Sequence, residues 1–176
     1  MKTMNPAAAT PGRTGPTEQV ILFLVANQVF AITADAVQEL RITDSVSGAA
    51  NEIERSHVPK VRHTVKRGRH TYYVVNAGAH FGLPASRPTL LMVLRGLRVA
   101  VLVDRIDRMV EISFTHPLPL AFSGEERAWY RGLTYFDDRV IPVVQPDGFL
   151  TQQEIQQLES ERSAQPPQEL QGALRQ

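Results

Sequence analysis

The chain of 176 residues contains no cysteine, which excludes disulfide bonds and thiolate chemistry. No apolar run approaches the roughly 20 residues of a membrane-spanning helix, and the N-terminus lacks the apolar core of a signal peptide. Neither sign of charge is in excess, because 19 basic and 18 acidic residues give a net charge of +1. This balance argues against binding nucleic acid or anionic membranes across a whole surface. We therefore expect a soluble, cytoplasmic protein that does not insert into membranes.

Patterns typical of catalytic, cofactor and metal sites are also missing. There is no Gly-x-Ser-x-Gly elbow and no phosphate-binding glycine loop. His57, His63 and His70 fall in a basic stretch without acidic residues, where surface histidines are more common than metal ligands. The acid pairs at 104 and 107 and at 125 and 126 are typical of polar turns. The sequence therefore predicts a protein that is not an enzyme and holds no metal or cofactor.

What the sequence does contain is a central β-hairpin. Residues 90–94 and 98–103 are rich in valine and leucine, and Arg95-Gly96 between them suits a tight turn. Val99, Val101 and Val103 would face one side of the second strand, with Ala100 and Leu102 on the other. Because both faces are apolar, the hairpin should be covered on both sides, as in a small barrel or sandwich.

Other short apolar runs predict further strands. They lie at residues 19–25, 29–32, 71–75, 129–136 and 139–144. Pro142 would make the last of these an edge strand or a bulged one. Thr33 is a possible helix cap, residues 44–56 are a polar loop, and Thr151 with Glu154 forms a capping box. Short strands at close spacing indicate a mainly β, barrel-like architecture.

The stretch from Lys60 to Arg69 is the most basic part of the chain. The segment 57–70 holds five of the 19 basic residues and three of the five histidines. It admits three interpretations: a solvated loop, a contact to nucleic acid phosphates, or a docking loop for an acidic protein partner. A small β-barrel that binds nucleic acid through residues 60–69 is therefore the alternative function.

Several short motifs occur in a fixed order along the chain. They are the strand at 20–24, Val37-Gln38-Glu39, Arg67-Gly68, residues 76–83, the run from Gly96 to Val103-Asp104-Arg105-Ile106, and residues 138–144. In order and spacing these resemble CheW-like domains, the coupling modules of bacterial chemosensory arrays. The resemblance spans about residues 18–150.

The resemblance implies a fold of two SH3-like five-stranded β-barrels, here about 18–84 and 85–150. We expect a disordered leader at 1–17, a C-terminal helix at 151–164 and a disordered tail at 165–176. It also implies a non-catalytic scaffold at the periphery of receptor arrays. The implied partners are a CheA-type histidine kinase, the cytoplasmic tip of a methyl-accepting chemoreceptor, and other CheW-like domains.

The family's receptor-contacting arginine carries over to Arg67. Its neighbours in the same element are predicted to share the partner-binding surface: Gly68, Arg62, Lys66, Val65 and Val37. Val99 and Val101 could line the groove between the barrels, although core packing is the commoner role for such valines. The chain departs from the family at 62–68, where only the final Arg-Gly is kept, and at Asn76, which replaces an aspartate. These departures predict an accessory coupling protein, in a chemotaxis or a pilus-based motility pathway.

Overall fold

A computed structural model describes residues 16–45, 50–53, 56–113 and 115–164, in which β-strands dominate. The strands are β1 Glu18–Val25, β2 Gln28–Thr33, β3 Val37–Ile42, β4 Ala50–Glu52, β5 Val61–Arg67, β6 His70–Asn76, β7 Leu90–Leu94, β8 Val99–Val103, β9 Arg105–Ile112, β10 Tyr130–Phe136 and β11 Arg139–Val144. The α-helices are α1 Ala77–His80, α2 Glu126–Trp129 and α3 Gln152–Ala164. In these residues no helix is long and apolar enough to cross a bilayer.

The strands form two sheets. Sheet A has five strands in the order β10-β11-β2-β1-β9, and sheet B has six in the order β3-β7-β8-β6-β5-β4. The predicted mainly β fold is confirmed. Sheet B exceeds the expected five strands because β4, within the predicted polar loop 44–56, pairs with β5.

The sheets divide the chain differently from the predicted boundary between 84 and 85. Sheet B is built from one continuous segment, residues 37–103, whereas sheet A takes strands from both sides of that segment. Two parallel pairings explain this, since β11 joins β2 and β6 joins β8. Parallel neighbours must be reached by long connections, which local sequence patterns do not reveal.

Three apolar cores result from the two sheets. A central core between the sheets takes alternate residues of both, including Ile21, Phe23, Val25, Tyr73, Val75, Met92, Leu94, Val99, Val101 and Val103. The other face of sheet B has its own core of Val65, Tyr72, Val74, Leu91, Val93 and Ala100. The other face of sheet A has a third, of Val20, Leu22, Ala31, Ile112, Ile141 and Val143. The predicted coverage of the β7–β8 hairpin on both sides is therefore confirmed.

Tight turns and one close backbone approach shape sheet A. Asn27 and Asp138 adopt positive φ angles of 65° and 58° in the β1–β2 and β10–β11 turns, as hairpin loops of this length require. The chain before α2 covers the free edge of β10, where His116 and Leu133 exchange backbone hydrogen bonds of 2.6 and 2.9 Å. Only glycine fits at position 132, because a Cβ there would collide with the backbone oxygen of His116.

Three local expectations require correction. Thr33 does not cap a helix: a short 3-10 turn follows it, and its hydroxyl donates to Glu18 instead. Pro142 is not on an edge strand, because β11 lies between β10 and β2, but the predicted alternative, a bulge, occurs in the β10–β11 pairing between Tyr130 and Gly132. The basic stretch is not a loop, since most of it forms β5. In contrast, the capping box is confirmed, with Thr151 and Glu154 each accepting from the other's backbone amide.

Candidate partner-binding site

The edge strand β3 carries a charged cluster centred on Glu39. Arg41 Nε donates to Glu39 Oε1 at 2.7 Å. Arg67 Nε lies 2.9 Å from Glu39 Oε2, but this oxygen accepts no aligned hydrogen bond in the described residues. The pair joins β3 to β5, the first and fifth strands of the sheet order. Sheet B must therefore curl on itself, which is consistent with a small barrel.

Arg67 is only partly occupied by this contact. Its side chain is 39% exposed. No other described residue accepts a hydrogen bond from its two terminal nitrogens. A guanidinium with a free fork is well suited to a carboxylate of a partner, which it can bind in pairs of hydrogen bonds.

A similar pair links two strands of sheet A and uses both terminal nitrogens of the arginine. Arg131 on β10 donates through both terminal nitrogens to Glu18 on β1, at 2.9 and 2.5 Å. Arg131 also donates to Thr115, and Thr33 donates to Glu18. Hydrogen bonds from Arg131, and then from Thr33, hold the pKa of Glu18 below its usual range, although partial burial opposes them.

The predicted partner-binding residues fall into two groups. Arg62, Lys66 and Gly68 are exposed, on β5 and in the turn that follows it. Val65 is buried in the sheet B core, and Val37 is half-buried against the central core. Val99 and Val101 are buried in the central core as well, so both valines pack rather than line a surface.

Exposed apolar side chains mark where the inner faces of the sheets reach the surface. Leu40 and Ile42 on β3 are 42% and 60% exposed, and Met109 on the edge strand β9 is 57% exposed. Leu40 pairs with Met92, and Met109 pairs with Ile21, so each shares a face with a buried residue of the central core. Edge strands usually avoid such exposure, because it invites another chain to bind.

These positions were not identified as site residues from the sequence. In the sequence, Glu39 stands out only as part of the family-like motif Val37-Gln38-Glu39. The signal was available in β3, where apolar and charged residues alternate as in a strand with two different faces. What the sequence does not reveal is that β3 is an edge.

A second surface feature is a cleft of about 570 Å³. Its walls are residues 57–60, α2, the segment around Gly148 and the start of α3. Trp129 and Lys60 contribute to the lining, and both also contact the buried His80. The Lys60 Nζ lies 2.9 Å from Glu154 Oε1 and 3.4 Å from His80 Nδ1.

His80 itself is held neutral. It is 4% exposed and packs against the rings of Phe81, Trp129 and Phe149. Burial, and secondarily the charge of Lys60, lowers the pKa of His80 to about 3. Its Nε2 has no partner among the described residues. Close by, burial and then the charge of Glu126 raise the pKa of Tyr130 to about 12. Both groups stay neutral over the whole physiological pH range, so they support packing.

The structure weakens the case for nucleic-acid binding through the basic stretch. Lys60 is paired with Glu154, which neutralises one of its basic side chains. Asp104, considered above as a turn residue, accepts from the backbone nitrogen of Ala26 at 2.7 Å and from Ser86 at 2.6 Å. It bridges distant segments rather than bonding its own turn.

Nowhere in the described ranges do three His, Asp or Glu side chains gather as a metal site would require.

Comparison with known proteins gives one family and one fold. The model of the CheW-like domain family matches residues 19–154. Among solved structures, the chain is similar to the scaffolding protein TtCheW from Thermoanaerobacter tengcongensis, with a TM-score of 0.63 and 14% sequence identity. That similarity covers 74% of this chain and 90% of the other. Among curated protein sequences, none is significantly similar to this chain.

Proposed function

Because the chain belongs to the CheW-like domain family, we propose that it is a non-catalytic scaffold that couples chemoreceptors to a CheA-type histidine kinase. Its place would be the cytoplasmic side of a receptor array, in a chemotaxis or surface-motility pathway. The observation that carries the proposal is the two-sided edge of sheet B. One face of β3 bears the Glu39 cluster with Arg67, and the other bears the exposed Leu40 and Ile42.

Each face of this edge suits a different part of a partner. The apolar pair would supply affinity for the apolar stripe of a receptor's helical tip, since buried apolar area dominates most associations. Arg67 would then orient that helix by binding one of its carboxylates with the two terminal nitrogens that Glu39 leaves free. Arg62 and Lys66, exposed on the adjacent β5, would add attraction for an acidic partner and speed the encounter.

The test is co-sedimentation with a receptor cytoplasmic fragment and the histidine kinase encoded nearest to this protein. We expect Arg67→Ala to weaken capture at least about tenfold, which corresponds to about 1.4 kcal/mol. Arg139→Ala is the matched control, because Arg139 is an exposed arginine on sheet A. Unchanged capture by Arg67→Ala would contradict the role of Arg67 as the orienting residue.

Glu39→Gln distinguishes a direct role of Arg67 from an indirect one. If Arg67 binds the partner itself, removing the charge of Glu39 frees the guanidinium, and capture is kept or improved. If Arg67 acts only by closing sheet B, Glu39→Gln and Arg67→Ala reduce capture equally. Leu40→Ser and Ile42→Ser test the apolar face separately, and each should weaken capture more than it lowers the thermal unfolding midpoint, because both side chains are largely exposed.

The alternative, nucleic-acid binding through residues 60–69, makes the opposite prediction. It requires binding to DNA or RNA that falls steeply between low and moderate salt. A gel-shift titration that shows such binding, together with no capture by receptor and kinase, would overturn the scaffold proposal.

A further inference from the structure

Most of the side chains through which the C-terminal helix α3 contacts the rest of the protein are charged. Three of its glutamates each meet a base on the body: Glu154 pairs with Lys60, Glu159 with Arg98, and Glu161 with His57. The distances from Lys60 and His57 to their partners are 2.9 and 2.7 Å. The backbone nitrogen of His57 also donates to Glu161, at 3.2 Å.

Apolar contacts of α3 with the rest of the protein come from only two side chains. Leu158 is the one fully buried side chain of α3, and Ile155 packs beside the central core. The remaining residues of the helix are polar or small, so α3 has almost no apolar face. An ordinary surface helix buries an apolar stripe of three or four residues in every two turns.

The first turn of α3 does not depend on the body. Thr151 and Glu154 satisfy each other's backbone amides in the capping box, and these bonds remain when the helix moves as a unit. Glu154 uses Oε2 for the cap and Oε1 for Lys60, so leaving Lys60 does not uncap the helix. A helix that is capped internally and held externally by ion pairs can detach without first unfolding.

The bases that hold α3 lie on two separate parts of the molecule. Lys60 and His57 belong to the segment before β5, which also lines the cleft, and Arg98 lies in the turn between β7 and β8. The start of α3 forms another wall of the same cleft. Movement of α3 would therefore widen the cleft and uncover the apolar surface around Leu158.

From these contacts we propose that α3 is an electrostatic latch, which detaches from the two sheets as a unit when its ion pairs with Lys60 and Arg98 are weakened. The sheets remain folded when the latch opens. Because the Debye length falls from about 14 Å to about 4 Å between 0.05 and 0.5 M salt, exposed pairs lose much of their attraction over that range. Ionic strength is therefore the simplest way to open it.

Native-state hydrogen exchange of the full chain at about 0.05 and 0.5 M NaCl tests the proposal. We expect exchange of the α3 amides to rise at least about fivefold with salt, because a detached helix of 13 residues is only marginally stable in water, while the amides of β6 and β8 keep their rates. Exchange of α3 that is independent of salt would overturn the latch. So would a rise of equal size in α3 and in both strands, because that would report global unfolding.

A charge exchange between two partners gives an independent test. Glu159→Arg places two cations together, and the α3 amides should exchange faster at low salt. The double variant Arg98→Glu with Glu159→Arg restores an attractive pair and should bring the exchange back toward that of the unaltered protein. Glu111→Gln, an exposed acid on β9, is the control and should leave α3 unchanged. If the double variant exchanges as fast as the single one, charge does not hold the helix.

Discussion

In sheet A, Arg131 gives both terminal nitrogens to Glu18, whereas in sheet B Arg67 approaches Glu39 through Nε alone. Each pair joins two strands that are not neighbours in its own sheet, and each is partly exposed. The difference lies in what remains of each arginine. Both terminal nitrogens of Arg131 donate to Glu18, whereas those of Arg67 have no acceptor among the described residues.

The comparison separates two roles that one residue type can have. An arginine that closes a sheet is identified by the geometry of its fork, and its exposure alone does not reveal the role. By this criterion sheet A is the structural half of the molecule, and we propose that sheet B presents the docking edge.

The largest expected effect comes from replacing one glycine in each sheet by alanine. Gly132→Ala in sheet A should lower the free energy of unfolding by about 3 kcal/mol, because its Cβ would push the covering chain at His116 off β10. Gly96→Ala in sheet B has open space around it and should cost only about 1 kcal/mol, from its positive φ of 72°. Urea unfolding of both variants measures the difference. Equal losses of unfolding free energy would show that the covered edge of β10 tolerates an added Cβ as well as the β7–β8 turn does.

An effect that is smaller per pH unit comes from His80, which lies in the region where the two sheets meet. Its pKa is about 3 in the folded protein against 6.5 in the unfolded chain, so below pH 6.5 only the unfolded chain takes up the proton. Stability should therefore fall as the pH drops from 6.5 toward 3, by at most about 1.4 kcal/mol per pH unit from this group.

Urea unfolding at several pH values, compared with His80→Gln, isolates that contribution. The variant should lose this part of the slope, while above pH 7 the slopes of the two proteins should agree. If spectroscopic probes in sheet A and sheet B report different pH dependences of the free energy of unfolding, the two sheets do not unfold together and are separate folding units.

The smallest expected effect concerns the two glutamates that close the sheets. Glu18→Gln should cost roughly 0.5–1 kcal/mol, the range for partly exposed ion pairs, and Glu39→Gln less, because its contact with Arg67 is not an aligned hydrogen bond. The lowered pKa of Glu18 makes its contribution largest above the unfolded pKa and lost as the pH falls through the folded one. Thermal unfolding at pH 7 and at pH 3 tests both statements, and a larger loss for Glu39→Gln would reverse the assignment of roles.

Much of the fold could be predicted because its signals are local. The β7–β8 hairpin with two apolar faces, the strand β1 and the capping box of α3 each depend on residues within a few positions of one another. For such elements, composition and spacing determine the outcome before any distant contact forms.

The remainder depends on contacts between residues far apart in the chain. Nothing near Glu18 indicates that it pairs with Arg131, 113 positions away, or that Asp104 binds the amide of Ala26. The basic stretch became a strand because β6 pairs with it, which overrides its polar composition. The same reason applies to the candidate site, since the resemblance points to Arg67 but not to its pairing with Glu39.

The arrangement of sheet B within residues 37–103 has a consequence for synthesis. On the ribosome all six strands of sheet B are available once residue 103 has emerged, while β1 and β2 still lack the strands that complete sheet A. We expect the nascent chain to fold sheet B first and to keep an unfinished N-terminal hairpin until β11 is made. A chain released after β9 and before β10 would therefore have a complete sheet B and an incomplete sheet A.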